Sequence, residues 1–328
     1  MRVFCALYHI AMRWKMKEFI IAPNDSGQRL DKFLTKAMPE LPKSMMYRLI
    51  RKKDIKLNGK RCEISARLSE GDVVRVYVKD EVAAVKKQDM SFLRSKNELE
   101  VVYEDENIII VFKPMGLDSH GNGENNDDTL INRIKLYLCN KSEFNPDEEN
   151  TFSPALCSRL DRNTTGIVTA AKNSAALREM NEGIRSGSVH KIYRCVTASV
   201  PPKGSDILIA YHYRQEGRSI VKISAEPLEN YKQIRTGYTV IGEKSGMALL
   251  EIRLFTGRTH QIRAHLAHIG CPVLGDGKYG NIAINKRHGI FRQALCAHRL
   301  EFDFPSGSML EYLNKIQPQS PHSLDFPT

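Results

Sequence analysis

The stretch "SRLDRNTTG", residues 158–166, decides how the rest of the chain is read. If residues 155–161 are extended, alternation throws Arg159 and Asp161 to one face and Leu156 and Leu160 to the other. An arginine and a carboxylate then share a polar surface. Thr164-Thr165-Gly166 turns the chain, with Gly166 able to supply a positive φ before the next strand. On these residues alone Asp161 is either half of a surface ion pair beside a hairpin or a carboxylate that does chemistry.

Two further stretches bear on that choice. In "LFTGRTHQIRAHLAHIGCPVLGDGKYG", residues 254–280, Thr259 can cap a helix running through Ile269, with Ile262, Leu266 and Ile269 inward and Gly270 ending it. Arg258 and Arg263 fall in the loop and first turns of that helix. His260, His265 and His268 invite a metal reading, but no cysteine or carboxylate partners them at ligand spacing, so hydrogen-bonding histidines are expected and no metal. In "VHKIYRCVTASV", Ile192, Val196 and Ala198 form an apolar face and turn Lys191 and Tyr193 to the other. Tyr193 there either covers the sheet rim or stacks on a base.

Short strands ("PALCSRL", "GIVTAAK", "IYRCVTASV", "ALLEIRLF") mix with a helix over Ala175 to Arg185 without regular helix–strand alternation. The class is α+β with a mostly antiparallel, mixed sheet. It opens near Leu99 with two strands about the turn Glu104 to Asn107 in "LEVVYEDENIIIVFKPMG". An amphipathic helix carrying Leu130, Ile134 and Leu138 follows, and then an acidic loop, "KSEFNPDEENTFSP".

The 328 residues allow one main domain and a smaller module. Formal charge is +11, and residues 27–79 hold fourteen Lys or Arg against six Asp or Glu, a net of +8. The excess is therefore local and favours a polyanionic partner. Seven scattered cysteines without a C-x-x-C pair suggest neither zinc nor a disulfide framework, which fits a cytoplasmic protein. Residues 1–15 read as a disordered extension, with Met12 and Met16 as alternative starts to Met1. No stretch has the length or apolarity of a membrane span.

Residues 16–80 form the small α/β module. Leu30, Phe33, Leu34 and Ala37 make one helical face; Met46, Leu49 and Ile50 make a second, with Ser44 as its expected N-cap. Asn58-Gly59 signals a hairpin, and "GDVVRVYV" alternates as a strand. Lys43, Arg48, Arg51, Lys52, Lys53 and Lys56 are either a solvated helix end or a phosphate-binding patch, and their density favours the second. "GQRLDKFL", "PKSMMYRLIRKKDIKLNGK" and the L-x-x-GD-x-V-x-V close resemble the S4-type RNA-binding domain, which implies an RNA-docking module. Residues 81–98 read as a charged linker and residues 99–328 as the larger domain.

"SRLDRNTTGIV", "KIYRC", "GRTHQIRAHLAHIGCPVLGDGKYG" and "FKPMGL" occur in the order found in RluA-type pseudouridine synthases, which the larger domain resembles from about residue 99 to 304. The resemblance implies isomerisation of uridine in RNA without cofactor or metal, most often in large-subunit ribosomal RNA and otherwise in tRNA. It implies Asp161 as the catalytic aspartate, Tyr193 as the tyrosine against the target base and Arg263 as the arginine paired with the aspartate. Arg159 would fill the gap left by a flipped nucleotide, while Arg258, Lys191, Thr165 and Gly166 would line the substrate. Ser158 and Thr165 depart from the family's usual histidine and serine, which bears on the substrate subgroup. A monomer is expected. A non-catalytic RNA-binding or ribosome-assembly factor needs none of the Asp161, Tyr193 and Arg263 trio, and a metal-dependent hydrolase lacks the carboxylate cluster a two-metal site requires.

Overall fold

The computed structural model describes residues 14–87, 89–121, 127–287 and 289–326. The expected extension therefore lies outside the described residues as far as position 13, and its last two residues do not extend from the fold. They belong to a strand, β1 (Trp14–Ile20), which pairs along its whole length with β4 (Val73–Lys79).

Two compact units are present. Among the described residues the smaller runs to residue 90 and takes in 142–153, and the larger comprises 91–141 and the chain from 154 onward. The acidic loop thus groups with the smaller unit, where Asn150 and Thr151 donate to the buried Asp25 carboxylate.

In the smaller unit α1 (Leu30–Ala37) and α2 (Lys43–Arg51) pack on a four-stranded sheet ordered β1-β4-β2-β3, with β2 spanning Ile55–Leu57 and β3 Lys60–Arg61. All the apolar residues expected on the two helices are buried, and β4 alternates buried with half-buried positions. Asn58 and Gly59 both take positive φ, the geometry a two-residue hairpin needs. Ser44 is not the cap of α2. The carbonyl of Pro42 accepts from Met46 N–H and starts the helix, so Ser44 sits inside its first turn.

The larger unit is built on a ten-stranded sheet. Its strands are β5 (Glu100–Glu104), β6 (Ile108–Lys113), β7 (Ala155–Leu156), β8 (Thr165–Ala171), β9 (Val189–Thr197), β10 (Ser205–Tyr213), β11 (Lys222–Ser224), β12 (Lys232–Lys244), β13 (Met247–Leu254) and β14 (Leu295–Phe302). Their order is β11-β10-β12-β13-β9-β14-β8-β6-β5, with β7 beside β8. Every pairing is antiparallel except β14 with β8. Helix α3 (Leu130–Asn140) is capped by Thr129, and α4 (Ser174–Ser186) by Asn173, with Gly187 at φ 90° closing it. Met180 and Ala176 of α4 pack with Ile108, Ile110, Ile167 and Leu300 in the core. Two further helices, α5 (Gln261–His268) and α6 (Ile282–Arg287), lie between β13 and β14. Among the described residues no helix is long and apolar enough to cross a membrane.

Residues 155–161 are not one strand. Ladder pairing stops at Leu156 and Cys157 N–H makes one more bond, to the Thr169 carbonyl of β8; from Leu160 to Arg162 the backbone bonds to the loop after β6 instead of to a sheet neighbour. Nor does Gly166 serve a turn: at φ 116° it lies within β8, where a Cβ would stand 2.3 Å from the Ala297 carbonyl oxygen of β14.

Candidate active site

Asp161 is held on a loop that two neighbouring segments fix from both ends. On one side Ser119 Oγ donates to the Leu160 carbonyl and accepts from Leu160 N–H. On the other, Gly116 N–H and the Lys113 ammonium both donate to the Arg162 carbonyl, while Arg162 Nε donates back to the Gly116 carbonyl. Thr164 N–H closes a turn onto the Asp161 carbonyl, and Gln293 pins the buried Thr164 hydroxyl. Lys113 is fully buried, and its ammonium also reaches the carbonyls of Pro114 and Leu117. Burial lowers its pKa to about 8, against the nearby charges of Asp118 and Asp161. It still carries its proton at neutral pH, one N–H for each of the three carbonyls.

Arg263 projects from α5 toward that loop. Its Nη1 donates to Asp161 Oδ2 at 2.8 Å. Its opposite edge is taken by a second carboxylate: Nε and Nη2 donate to Asp276 Oδ2 and Oδ1 at 2.7 and 2.9 Å. Arg263 is buried and Asp276 completely so, whereas the Asp161 side chain is 29% exposed. Burial alone would raise the Asp276 pKa. The hydrogen bonds and charge of Arg263, with the N–H groups of Lys278 and Tyr279, outweigh it and hold the carboxyl below its usual range. Arg263 is likewise held charged by its two carboxylates against the cost of burial.

Thr259 does not cap α5 as expected. His260 takes a left-handed conformation, φ 55°, which interrupts the helical backbone and moves the first helical residue to Gln261. No side chain caps α5; Gln261 N–H bonds back to the Arg258 carbonyl, and the Gln261 side-chain oxygen accepts from Arg258 N–H and the Thr256 hydroxyl, which fixes the loop before the helix. Left-handed backbone at a non-glycine residue is a strained arrangement that collects at functional sites. Here it sets the His260 ring 2.8 Å from the Tyr279 hydroxyl and 3.8 Å from Asp161 Oδ2. The Tyr279 ring lies 5.2 Å from the Arg263 guanidinium.

Tyr193 sits in β9 between Ile252 and Ala297 of the flanking strands and is 7% exposed, so it is a buried wall rather than a rim residue. Burial, with the Asp161 charge adding to it, keeps its phenol protonated. Lys191 points the same way two residues earlier, and burial lowers its pKa. Arg159 and Arg258 are exposed and are not brought into the ion-pair cluster. Thr165 and Gly166 face β14, Thr165 through its hydroxyl to the Leu295 carbonyl. Of the basic residues on the smaller unit, Lys43, Arg48, Arg51, Lys52 and Lys53 are exposed and Lys56 half-buried, its ammonium over the Tyr77 ring at 5.7 Å.

The sequence reading missed Asp276, His260, Tyr279 and Lys113 as parts of this cluster. Asp276 could have been suspected from "GDG", an acidic residue between two glycines close after the arginine helix.

A partly exposed aspartate held by an arginine, beside a tyrosine, is suited to acid–base or nucleophilic work on a heterocyclic base. Comparison with known proteins gives this arrangement its class. Residues 107–268 match the family model described as RNA pseudouridylate synthase, and residues 28–74 match the S4 domain. A protein of Mycoplasma genitalium named as an uncharacterized RNA pseudouridine synthase is 30% identical over 92% of this chain and 96% of its own length. The ribosomal large subunit pseudouridine synthase C of Vibrio parahaemolyticus is 31% identical over 86% of each chain. The solved structure of human RNA pseudouridylate synthase domain containing 1 shares the fold, with a TM-score of 0.54 at 20% identity over 69% of this chain and 84% of that one. The protein is thus an RNA-modifying isomerase with an S4 domain. It belongs to the RNA pseudouridylate synthase family.

Proposed function

We propose that Asp161 is the carboxylate that acts on the target uridine, and that the RNA modified is large-subunit ribosomal RNA. The observation that carries the first part is the asymmetry at Asp161. Arg263 engages Oδ2, while among the described residues no hydrogen bond reaches Oδ1, and the side chain is partly open to solvent. Isomerisation breaks the bond between ribose and N1 of the base and remakes it to C5; C5 loses its proton and N1 gains one, so the product is an isomer of the substrate. Attack by a carboxylate and removal of that proton both need an oxygen that is not blocked.

A uracil must leave its stack to reach Asp161, at a cost of about a few kcal/mol that is smallest in loops. Tyr193 then forms the wall that confines the detached base. Arg159, exposed two residues from Asp161, would occupy the space the nucleotide vacates, while Lys191 and the exposed Arg258 would meet the RNA backbone. On the smaller unit Lys43, Tyr47 and Arg51 recur at helical spacing along α2, and Arg48 and Lys52 stand beside them. That exposed face, an aromatic between cations, suits single-stranded RNA. The large-subunit assignment is supported by relatives whose names carry that substrate. The protein is expected to act as a cytoplasmic monomer.

The test incubates the full chain with unmodified transcripts of large-subunit rRNA, small-subunit rRNA and tRNA, and maps pseudouridine by carbodiimide-blocked reverse transcription. Stops confined to the large-subunit transcript are expected. Stops confined to tRNA would overturn the substrate assignment while leaving the reaction intact.

A further inference from the structure

Arg263 has three nitrogens that could grip Asp161, yet it uses one. The reason is Asp276. That carboxylate lies behind the arginine, fully buried, and occupies the Nε–Nη2 edge in the parallel two-bond geometry that a guanidinium and a carboxylate prefer. Asp276 is itself fixed. Its Oδ1 accepts from Lys278 and Tyr279 N–H, and its carbonyl accepts from Gly280 N–H and from the Asn285 amide. Backbone packs tightly around it: a Cβ on Gly275 would meet the Arg292 carbonyl oxygen at 2.0 Å, and one on Gly280 would meet the Asp276 carbonyl oxygen at 2.3 Å. The guanidinium therefore has one fixed edge and one free corner, and the free corner points at Asp161.

We infer that Asp276 is a positioning residue for the reaction: by holding the Nε–Nη2 edge of Arg263 it restricts that arginine to a single hydrogen bond with Asp161 and leaves Asp161 Oδ1 open to the substrate. Without Asp276 the arginine would be free to turn its two-bond edge onto Asp161 and cover both oxygens. The carboxylate would stay in place but lose its reacting atom. The inference rests on Asp161 being the acting group.

Asp276→Asn tests it cleanly, because the amide oxygen can still accept from Lys278 and Tyr279 while the NH2 group opposes Arg263. With saturating RNA the single-turnover rate is expected to fall by roughly a hundredfold, the scale of a small misplacement at a reacting centre. RNA affinity should stay within about twofold, since Asp276 is buried away from RNA. A crystal structure of the variant should show Arg263 making two hydrogen bonds to Asp161. A wild-type rate, or a lowered rate with Arg263 still on its single bond, would overturn the inference. If Asp276→Asn does not fold, Asp276→Glu keeps the charge but displaces the carboxylate by one methylene; a reduced rate at unchanged affinity is expected, and a wild-type rate overturns the idea. A wild-type protein that forms no pseudouridine would instead remove the assignment of Asp161 on which this rests.

Discussion

The ammonium of Lys113 lies 3.0 Å from the carbonyl oxygen of Arg162, the residue after Asp161, and so ties the end of β6 to the loop that carries the acting carboxylate. Lys113→Met keeps an unbranched side chain one atom shorter and removes the three donors, leaving the Pro114 and Leu117 carbonyl oxygens short of a partner and the Arg162 carbonyl with Gly116 N–H alone. Each such loss costs about 1–3 kcal/mol. Urea unfolding at pH 7 should show a loss of about 3 kcal/mol or more, and activity should fall with it. A variant as stable and active as wild type would show that the loop holds without this lysine.

Gly166 and Ala297 make the closest approach at the parallel junction of β8 and β14. A methyl group on Gly166 would meet the backbone oxygen, nitrogen and carbon of Ala297 at 2.3, 2.4 and 2.7 Å, with no flexible side chain to yield. Gly166→Ala should therefore lose more than about 3 kcal/mol, combining the clash with strain at positive φ. Soluble yield and denaturant unfolding measure this, and an unchanged midpoint would refute it.

His265 gives the fold a defined response to acid. It is 1% exposed, its Nδ1 lies 3.0 Å from the Thr236 hydroxyl, and burial, with the charge of His268 adding to it, lowers its pKa from 6.5 to about 4. Between those values the unfolded chain binds a proton that the folded chain does not. Stability from this group is thus fully present above pH 6.5 and is lost as the pH falls toward 4, by about 3 kcal/mol in all. His265→Gln should flatten the acid limb of a stability profile between pH 7 and 4. An identical acid limb in both proteins would assign that slope to other groups.

The basic face of α2 should reveal itself through salt. Replacing Lys43, Arg48, Arg51 and Lys52 together by alanine removes up to four phosphate contacts, each adding about 0.7 to the slope of log affinity against log salt for a single strand. Filter binding between 50 and 200 mM salt, about the range over which such slopes are read, should give weaker binding and a slope shallower by up to about 3. Equal slopes would return these residues to a solvated helix end.

Much of the fold follows from local pattern. The apolar faces of α1 and α2, the Asn58-Gly59 hairpin and the alternation in β4 are each decided by neighbours within a few residues. The boundary expected between residues 15 and 16 falls inside β1, because among its described side chains only Phe19 is buried and its order comes from main-chain pairing with β4, which leaves little trace in side-chain type. The segment before Asp161 alternates like a strand throughout, yet only Ala155, Leu156 and Cys157 bond to β8, and Leu160 bonds to the Ser119 side chain 41 residues earlier. Asp161, Tyr193 and Arg263 were visible because their motifs are dense and ordered. Asp276 and His260 were not, since a buried carboxylate behind an arginine and a left-handed backbone are properties of the packed loop rather than of residue spacing.

The central claim is that the Asp161 carboxylate does the chemistry, and the most direct measurement compares wild type with Asp161→Asn on large-subunit rRNA transcript. The amide keeps the size of the side chain and an oxygen for Arg263, but it cannot act as nucleophile or base. Single-turnover pseudouridine formation should be measurable for wild type and drop below detection for the variant, with RNA affinity and thermal stability close to wild type. A variant that forms pseudouridine at the wild-type rate would contradict the account.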